Sequence, residues 1–179
     1  QVERLSRDGR DAAQTAYEDG IREVRDLLRR GSFDRAAQRA ESLARTAPNR
    51  WELLALKGRA EIELGRNTDA EKSLRAAADL APGDMKTVLS GTAALARDEA
   101  AHGRLTKEAL ERWDEEDASG AAQKFKQAFE LRPNRIEFGV TAAAALAEVG
   151  DERSLGELAG WQGAEWAVAR IQARRTGRI

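Results

Sequence analysis

Pro48, Pro82 and Pro133 are the only prolines in this chain of 179 residues, and their spacing constrains the fold more than any other feature. Proline is costly inside a helix, so in a helix-forming sequence it acts as punctuation. The first two stand 34 residues apart and the last two 51, one and a half times that interval. Ala36, Ala70 and Ala121 keep the same two gaps, as do Ala40, Leu74 and Phe125, and Leu43, Ala77 and Ala128. Gly31 and Gly65 are again 34 apart, and Pro48-Asn49-Arg50 recurs as Pro133-Asn134-Arg135. Several series in one register mean an internal repeat, with 17 extra residues placed between Pro82 and Ala118.

Within one unit, Trp51 to Asp84, the pattern is that of two antiparallel helices. Leu54, Gly58 and Ile62 mark a helical stripe that runs out at Gly65, a residue suited to the left-handed conformation of a C-terminal cap. Asn67 or Thr68 can cap the next helix, with Glu71 in its first turn. Ala70, Leu74, Ala77 and Leu80-Ala81 then form an apolar face that Pro82 ends. Gly58 and Ala70 are small where two helix axes must approach to about 8–10 Å.

These residues carry a family resemblance. The 34-residue period, two helices per unit, glycine turn, Ala-x3-large apolar pattern and closing proline resemble the tetratricopeptide repeat. The unit at 51–84 matches through Leu54, Gly58, Ala70, Leu74 and Pro82, and departs at Lys57 and Glu61, where the pattern prefers leucine and tyrosine. The unit at 17–50 matches through Leu27, Gly31, Ala36, Ala40 and Pro48, with Phe33 in its turn. The unit at 102–135 matches through Leu105, Ala109, Ala121, Phe125, Ala128, Leu131 and Pro133. A fourth, 136–160, is degenerate: Phe138, Ala143, Leu146 and Gly150 fit a first helix, but Leu155 stands where a small residue belongs. The resemblance implies an all-α fold, a right-handed superhelix of antiparallel helix pairs, within one domain spanning 1–179.

The insertion, 85–101, carries a stripe of Met85, Val88-Leu89, Thr92 and Leu95-Ala96, followed by Leu105, Ala109 and Trp113. The region 84–116 is either one helix of about twice the usual length or two broken at Gly103; a single helix preserves the up-down alternation. Trp161, Ala164, Val168 and Ile171 recur on one helical face and read as a capping helix over 161–179, since an end repeat otherwise leaves an apolar face in water. Arg170, Arg174, Arg175 and Arg178 form a basic tail.

Composition narrows function mainly by exclusion. With no cysteine there is no disulfide, thiolate zinc site or cysteine nucleophile. Thirty basic against 31 acidic residues argue against a nucleic-acid partner. The apolar run Val140 to Ala147 is far short of the roughly 20 residues that span a bilayer, so no direct membrane insertion of this segment is expected. Met85 is the only methionine and no secretory signal opens the chain, which reads as an excised or processed piece of something longer. Arginine outnumbers lysine about four to one, a composition typical of a GC-rich bacterium. The compartment stays open between cytoplasm and periplasm, with a membrane tether conceivable in other parts of the parent chain.

His102 is the one histidine, read as an exposed helix residue. Glu111, Asp114, Glu115, Glu116 and Asp117 lack the ligand alternation of a calcium loop and read as a solvated helix end before the next helix start. No catalytic triad, metal set or phosphate loop emerges, so neither an enzyme nor a cofactor is expected.

The resemblance implies that first helices line a groove receiving a peptide or helix of another protein. Placing the core face as above turns Ile21, Arg25, Leu28 and Arg29 toward it in the first unit, Ala55, Arg59, Ile62 and Glu63 in the second, and Leu110, Trp113 and Asp114 in the third. Trp113 is either the anchor of that groove or packs beneath the extra helix. Family members that clamp the carboxylate tail of heat-shock chaperones use asparagine and lysine on these helices; here arginine and glutamate stand instead, so such a clamp is not expected. The expected role is a non-catalytic interaction scaffold in a larger bacterial assembly, the cell envelope being one setting. A self-assembly module forming a homo-oligomer, and a ligand-sensing domain of an enzyme or transporter complex, are the alternatives.

Overall fold

The computed structural model describes residues 2–161 and 164–178, with side chains from 12 onward. Gln162, Gly163 and Ile179, in the segment assigned to the cap and tail, lie outside the described residues. Among the described residues there are nine helices and no strand: α1 (Val2–Arg29), α2 (Phe33–Thr46), α3 (Trp51–Glu63), α4 (Asn67–Leu80), α5 (Gly83–Asp114), α6 (Ala118–Leu131), α7 (Ile136–Glu148), α8 (Glu152–Ala159) and α9 (Glu165–Arg175). Neighbours in sequence pack as pairs, giving an all-α arrangement of helical hairpins.

One turn joins two helices at four places, and its backbone explains why the pairs form. Gly31, Gly65, Glu116 and Gly150 have φ of 71°, 70°, 64° and 73°. At each, two amides fold back on the preceding helix. Ser32 N–H donates to the Leu27 carbonyl (2.9 Å) and Gly31 N–H to Leu28 (3.1 Å). Arg66 N–H donates to Glu61 (2.8 Å), and Asp117 N–H to Arg112 (2.9 Å). Asp151 N–H donates to Leu146 (3.0 Å). This is the Schellman closure, which satisfies orphan carbonyls and reverses the chain. The reversal brings second helices of 14 residues (α2, α4, α6) back along their partners.

Side-chain caps differ from unit to unit. Asp117 accepts from Gly120 N–H and Asp151 from Ser154 N–H, both at 2.9 Å. At α4 the capping position falls on Arg66, which makes no side-chain cap; Asn67 is already the first helical residue, which corrects the expectation of an Asn67 or Thr68 cap. The Schellman turn delivers the chain at a set register, leaving those two side chains one position too late.

Contacts gather into two compact units, 1–97 and 98–179, with the division falling inside α5. In the first, Val24 and Leu28 of α1 meet Ala36, Ala37 and Ala40 of α2 and Ala60 of α3. A second cluster joins Leu74, Ala77 and Ala78 of α4 to Leu89 and Ala93 of α5. Gly58 is obligatory here: a Cβ on it would lie 2.6 Å from Leu74 Cγ. In the second unit Ala109 of α5, Ala121, Phe125 and Phe129 of α6, Leu146 of α7, Leu155 and Leu158 of α8, and Val168 of α9 form one core. Trp161 stacks on Phe129 with ring centroids 5.4 Å apart. Leu155, large where the repeat wants a small residue, is buried there because α8 has only eight residues and leaves room that α9 helps to fill.

The region 84–116 is one helix to Asp114, with Glu115 and Glu116 in the turn that follows: α5 runs unbroken through Gly103, and a Cβ there would meet nothing within 4 Å. Its first half corrects the apolar stripe expected from sequence. Leu89, Ala93 and Ala96 are buried, whereas Val88 and Leu95 are 60% and 59% exposed. By the 34-residue offset Val88 corresponds to Leu54 and Thr92 to Gly58, which face their own second helix. No second helix returns at that interval in α5, because the chain stays helical to Asp114; α6 pairs with the later half through Ala109.

Candidate interaction face

On α3, three sides have distinct neighbours. Leu56 and Ala60 pack with the cluster on α2, and Gly58 lies against Leu74 of α4. The remaining side carries Arg59, Ile62 and Glu63, all exposed, whereas Ala55, expected on the same face, is half-buried and packs against the cluster of α4 and α5. On α1 the equivalent positions, 34 residues earlier, are Ile21, Arg25, Leu28 and Arg29. Ile21 is half-buried, and Arg25 and Arg29 are exposed. Leu28 is a correction to the expected face: it is 7% exposed and belongs to the α1–α2 core. It sits in the last turn before Gly31, where α2 doubles back over it.

The charges of this face are unevenly satisfied. Arg29 is tied to Asp26, its neighbour one turn earlier. Elsewhere in the unit Arg22 pairs with Asp19 (3.2 Å), Arg39 with Glu23 (2.8 Å) and Arg66 with Asp34 (2.8 Å). Among the described residues Arg25 and Arg59 have neither an ion-pair nor a hydrogen-bond partner. Between the middle of α1 and the start of α3, Tyr17 O–H donates to Glu52 (3.1 Å) while the Arg50 guanidinium lies 4.5 Å from the Tyr17 ring centroid. Burial, helped by the Glu52 carboxylate, pushes the Tyr17 phenol up to about 12. Sequence reading missed this link between α1 and α3, although Tyr17 and Trp51 do open successive units.

In the second unit Leu110 and Trp113 lie one turn apart on α5 and are 54% and 44% exposed; Asp114, the last residue of α5, is exposed as well. Trp113 therefore is not packed beneath the extra helix. Its carbonyl accepts the Glu116 amide of the turn, which holds the indole near the end of the helix (3.1 Å).

His102 is the larger correction. It is 4% exposed, not a surface residue, with its ring edge-on to Phe138 of α7 at 4.3 Å between centroids. Its Nε2 has no hydrogen-bond partner in the protein. Burial pushes the imidazole below its ordinary value; Arg132 and Arg135 push the same way, and Glu99 and Glu137 oppose them. Glu99 is bound by Arg132 (3.0 Å) and Arg135 (3.2 Å) at the turn between α6 and α7. The sequence around His102 is alanine, glycine and charge, and holds no sign that α7 would place a phenyl ring over it.

Among the described residues no group of three or more histidines and carboxylates is placed to hold a metal ion. No helix among them is long and apolar enough to cross a membrane.

No protein-family model matches the chain, and no curated protein does. Among solved structures the chain is similar to one titled "MamA RS-1 ArsTM double mutant", at 18% identity and a TM-score of 0.41, over 89% of this chain and 96% of that one.

Proposed function

We propose that this chain is a non-catalytic scaffold whose first helices bind a peptide or helix of another protein. The observation that carries the reading is the exposure of Leu110 and Trp113, large apolar side chains one turn apart beside a helix contact closed by alanine. Apolar and aromatic groups held half in water on a rigid helix suit a partner's side chains, because their burial costs little entropy on the scaffold side. Ile62, 37% exposed between Arg59 and Glu63, offers the same kind of contact on α3. The larger bacterial assembly, its setting at the envelope and the identity of the partner belong to this proposal too.

A photo-crosslinking residue placed at 62 or 113, and for comparison at the exposed second-helix positions 75 and 127, tests it. Crosslinks to discrete proteins in native lysate are expected at 62 and 113 and not at 75 or 127. Equal labelling at all four positions refutes the reading. Trp113→Ala is expected to weaken capture by about tenfold, the loss of one interface anchor, with the melting temperature nearly unchanged.

A further inference from the structure

We propose that a cleft among α2, α3 and α4 binds a small zwitterion of the amino-acid class, its ammonium held by Glu61 and its carboxylate by Lys57. Lys57 and Glu61 lie one turn apart on α3, each two residues from Arg59 and so on the opposite side of the helix. The site therefore stands whether or not the first helices bind a peptide.

These are the two positions at which the unit 51–84 departs from the repeat pattern. One repeat earlier the place of Glu61 is taken by Leu27, which packs against the α1–α2 core. A carboxylate there gives up that apolar contact, and out of water it is costly unless its oxygens are paired and hydrogen-bonded.

The cleft has a volume of about 300 Å³. Its floor holds Glu61, 5% exposed, and Ser73, 7% exposed. The Lys57 ammonium stands 3.7 Å from Glu61 Oε1 and 3.6 Å from Glu41 Oε2, ion-pair contacts longer than a hydrogen bond. The other oxygen, Glu61 Oε2, is buried and has no hydrogen-bond partner among the described residues. At the rim Arg66 is bound to Asp34 (2.8 Å) and Lys72 to Asp69 (3.5 Å). The exposed charges are thus matched within the protein, while the buried carboxylate is matched on one side only.

That chemistry defines the ligand. An ionised carboxylate oxygen only accepts, and its strongest partner is a cationic N–H donor. The lining side chains include three carboxylates (Glu41, Glu61, Asp69) and three cations (Lys57, Arg66, Lys72). A ligand of net charge would unbalance this set, so the ammonium comes with an anion on the same molecule. Lys57, with N–H groups to spare at those distances, meets that anion. The volume is at the small end of ligand sites, about 300–1,000 Å³, and suits an amino acid rather than a nucleotide.

Calorimetric titration of the whole chain with the standard amino acids in turn is the test, with methylamine and acetate as half-ligands. Saturable binding of at least one amino acid is expected, with each half-ligand weaker by about tenfold or more. Glu61→Gln, close in shape, should weaken that binding by about tenfold or more. The double variant Lys57→Leu, Glu61→Tyr restores the repeat pattern and fills the cleft. Its melting temperature should match or exceed that of the natural chain, because packed apolar groups replace a buried ion pair without loss, and its binding should vanish. Methylamine binding as tightly as any amino acid would overturn the zwitterion. No saturable binding of any amino acid, or binding unchanged in Glu61→Gln, would overturn the site. Neither result bears on the interaction face of the first helices.

Discussion

Glu116 holds φ 64° in a turn where Gly31, Gly65 and Gly150 stand at the three equivalent places. A side chain in the left-handed region crowds the following carbonyl, at about 1–2 kcal/mol. The hydrogen bonds of the turn hold it there nonetheless, with Glu116 N–H donating to the Trp113 carbonyl at 3.1 Å. Glu116→Gly should therefore stabilise the chain by about 1 kcal/mol, read as a higher midpoint in urea. A lower midpoint would mean that the carboxylate contributes more than its backbone costs. His102 makes the second prediction at this scale. Its folded-state pKa lies below the unfolded value of about 6.5, so the folded state favours the neutral ring. The sign follows: its contribution is fully present above the unfolded pKa and is lost as pH falls from there toward the folded value. Protonation would leave a buried cation beside Arg132 and Arg135, with Glu99 already bound to both. Urea midpoints at pH 7.5 and pH 5 should drop less in His102→Leu than in the natural chain. An equal drop would show that other groups carry the acid sensitivity.

At the scale of the element, small residues set how closely two helices approach. Ala70 is fully buried against α3, where the Cβ missing from Gly58 would lie 3.4 Å from the Ala70 carbonyl oxygen. Ala70→Leu is expected to overpack this contact and cost about 1–3 kcal/mol in chemical denaturation. A loss under half of that would place the α3–α4 contact elsewhere. Ion pairs between helices, such as Lys124 to Glu108 at 2.7 Å, are surface interactions of the kind worth about 0–1 kcal/mol and do not determine the pairing. The repeated turn and the small residues were legible in advance, because both depend on residues close in sequence or on one periodic stripe. Val88 and Leu95 were not: as residue types they belong to an apolar stripe, and their exposure follows from where α6 begins.

For the whole molecule, two compact units imply two regions of stability. Val24 and Leu158 are both fully buried, one in each unit. Leu158→Ala should cost about 2–5 kcal/mol by leaving a cavity. Hydrogen exchange should show that loss in α6 to α9, with α2 and α3 protected nearly as before. Uniform loss of protection from α2 to α9 would show a single cooperative unit. The candidate face divides in the same way. Helical periodicity left Trp113 open between groove and core, whereas Arg25, Arg59, Ile62 and Leu110 emerge at the surface where it puts them, since once the core side is known the opposite side follows. Leu28 did not, because the path of α2 over the last turn of α1 is a matter of packing.

While the tertiary structure decided that the 17 extra residues continue one long helix, the amino-acid sequence by itself determined their place, the period, the helical pairs and the residues at their contacts. Each follows from local conformational cost or from a stripe that must leave water, forces that act within one or two repeats. The tertiary structure alone decided which apolar residues stay in the solvent, that His102 lies beneath Phe138, and that Arg25 and Arg59 lack carboxylate partners among the described residues. Those outcomes depend on the distances between side chains far apart in sequence, and a spacing rule holds no information about them.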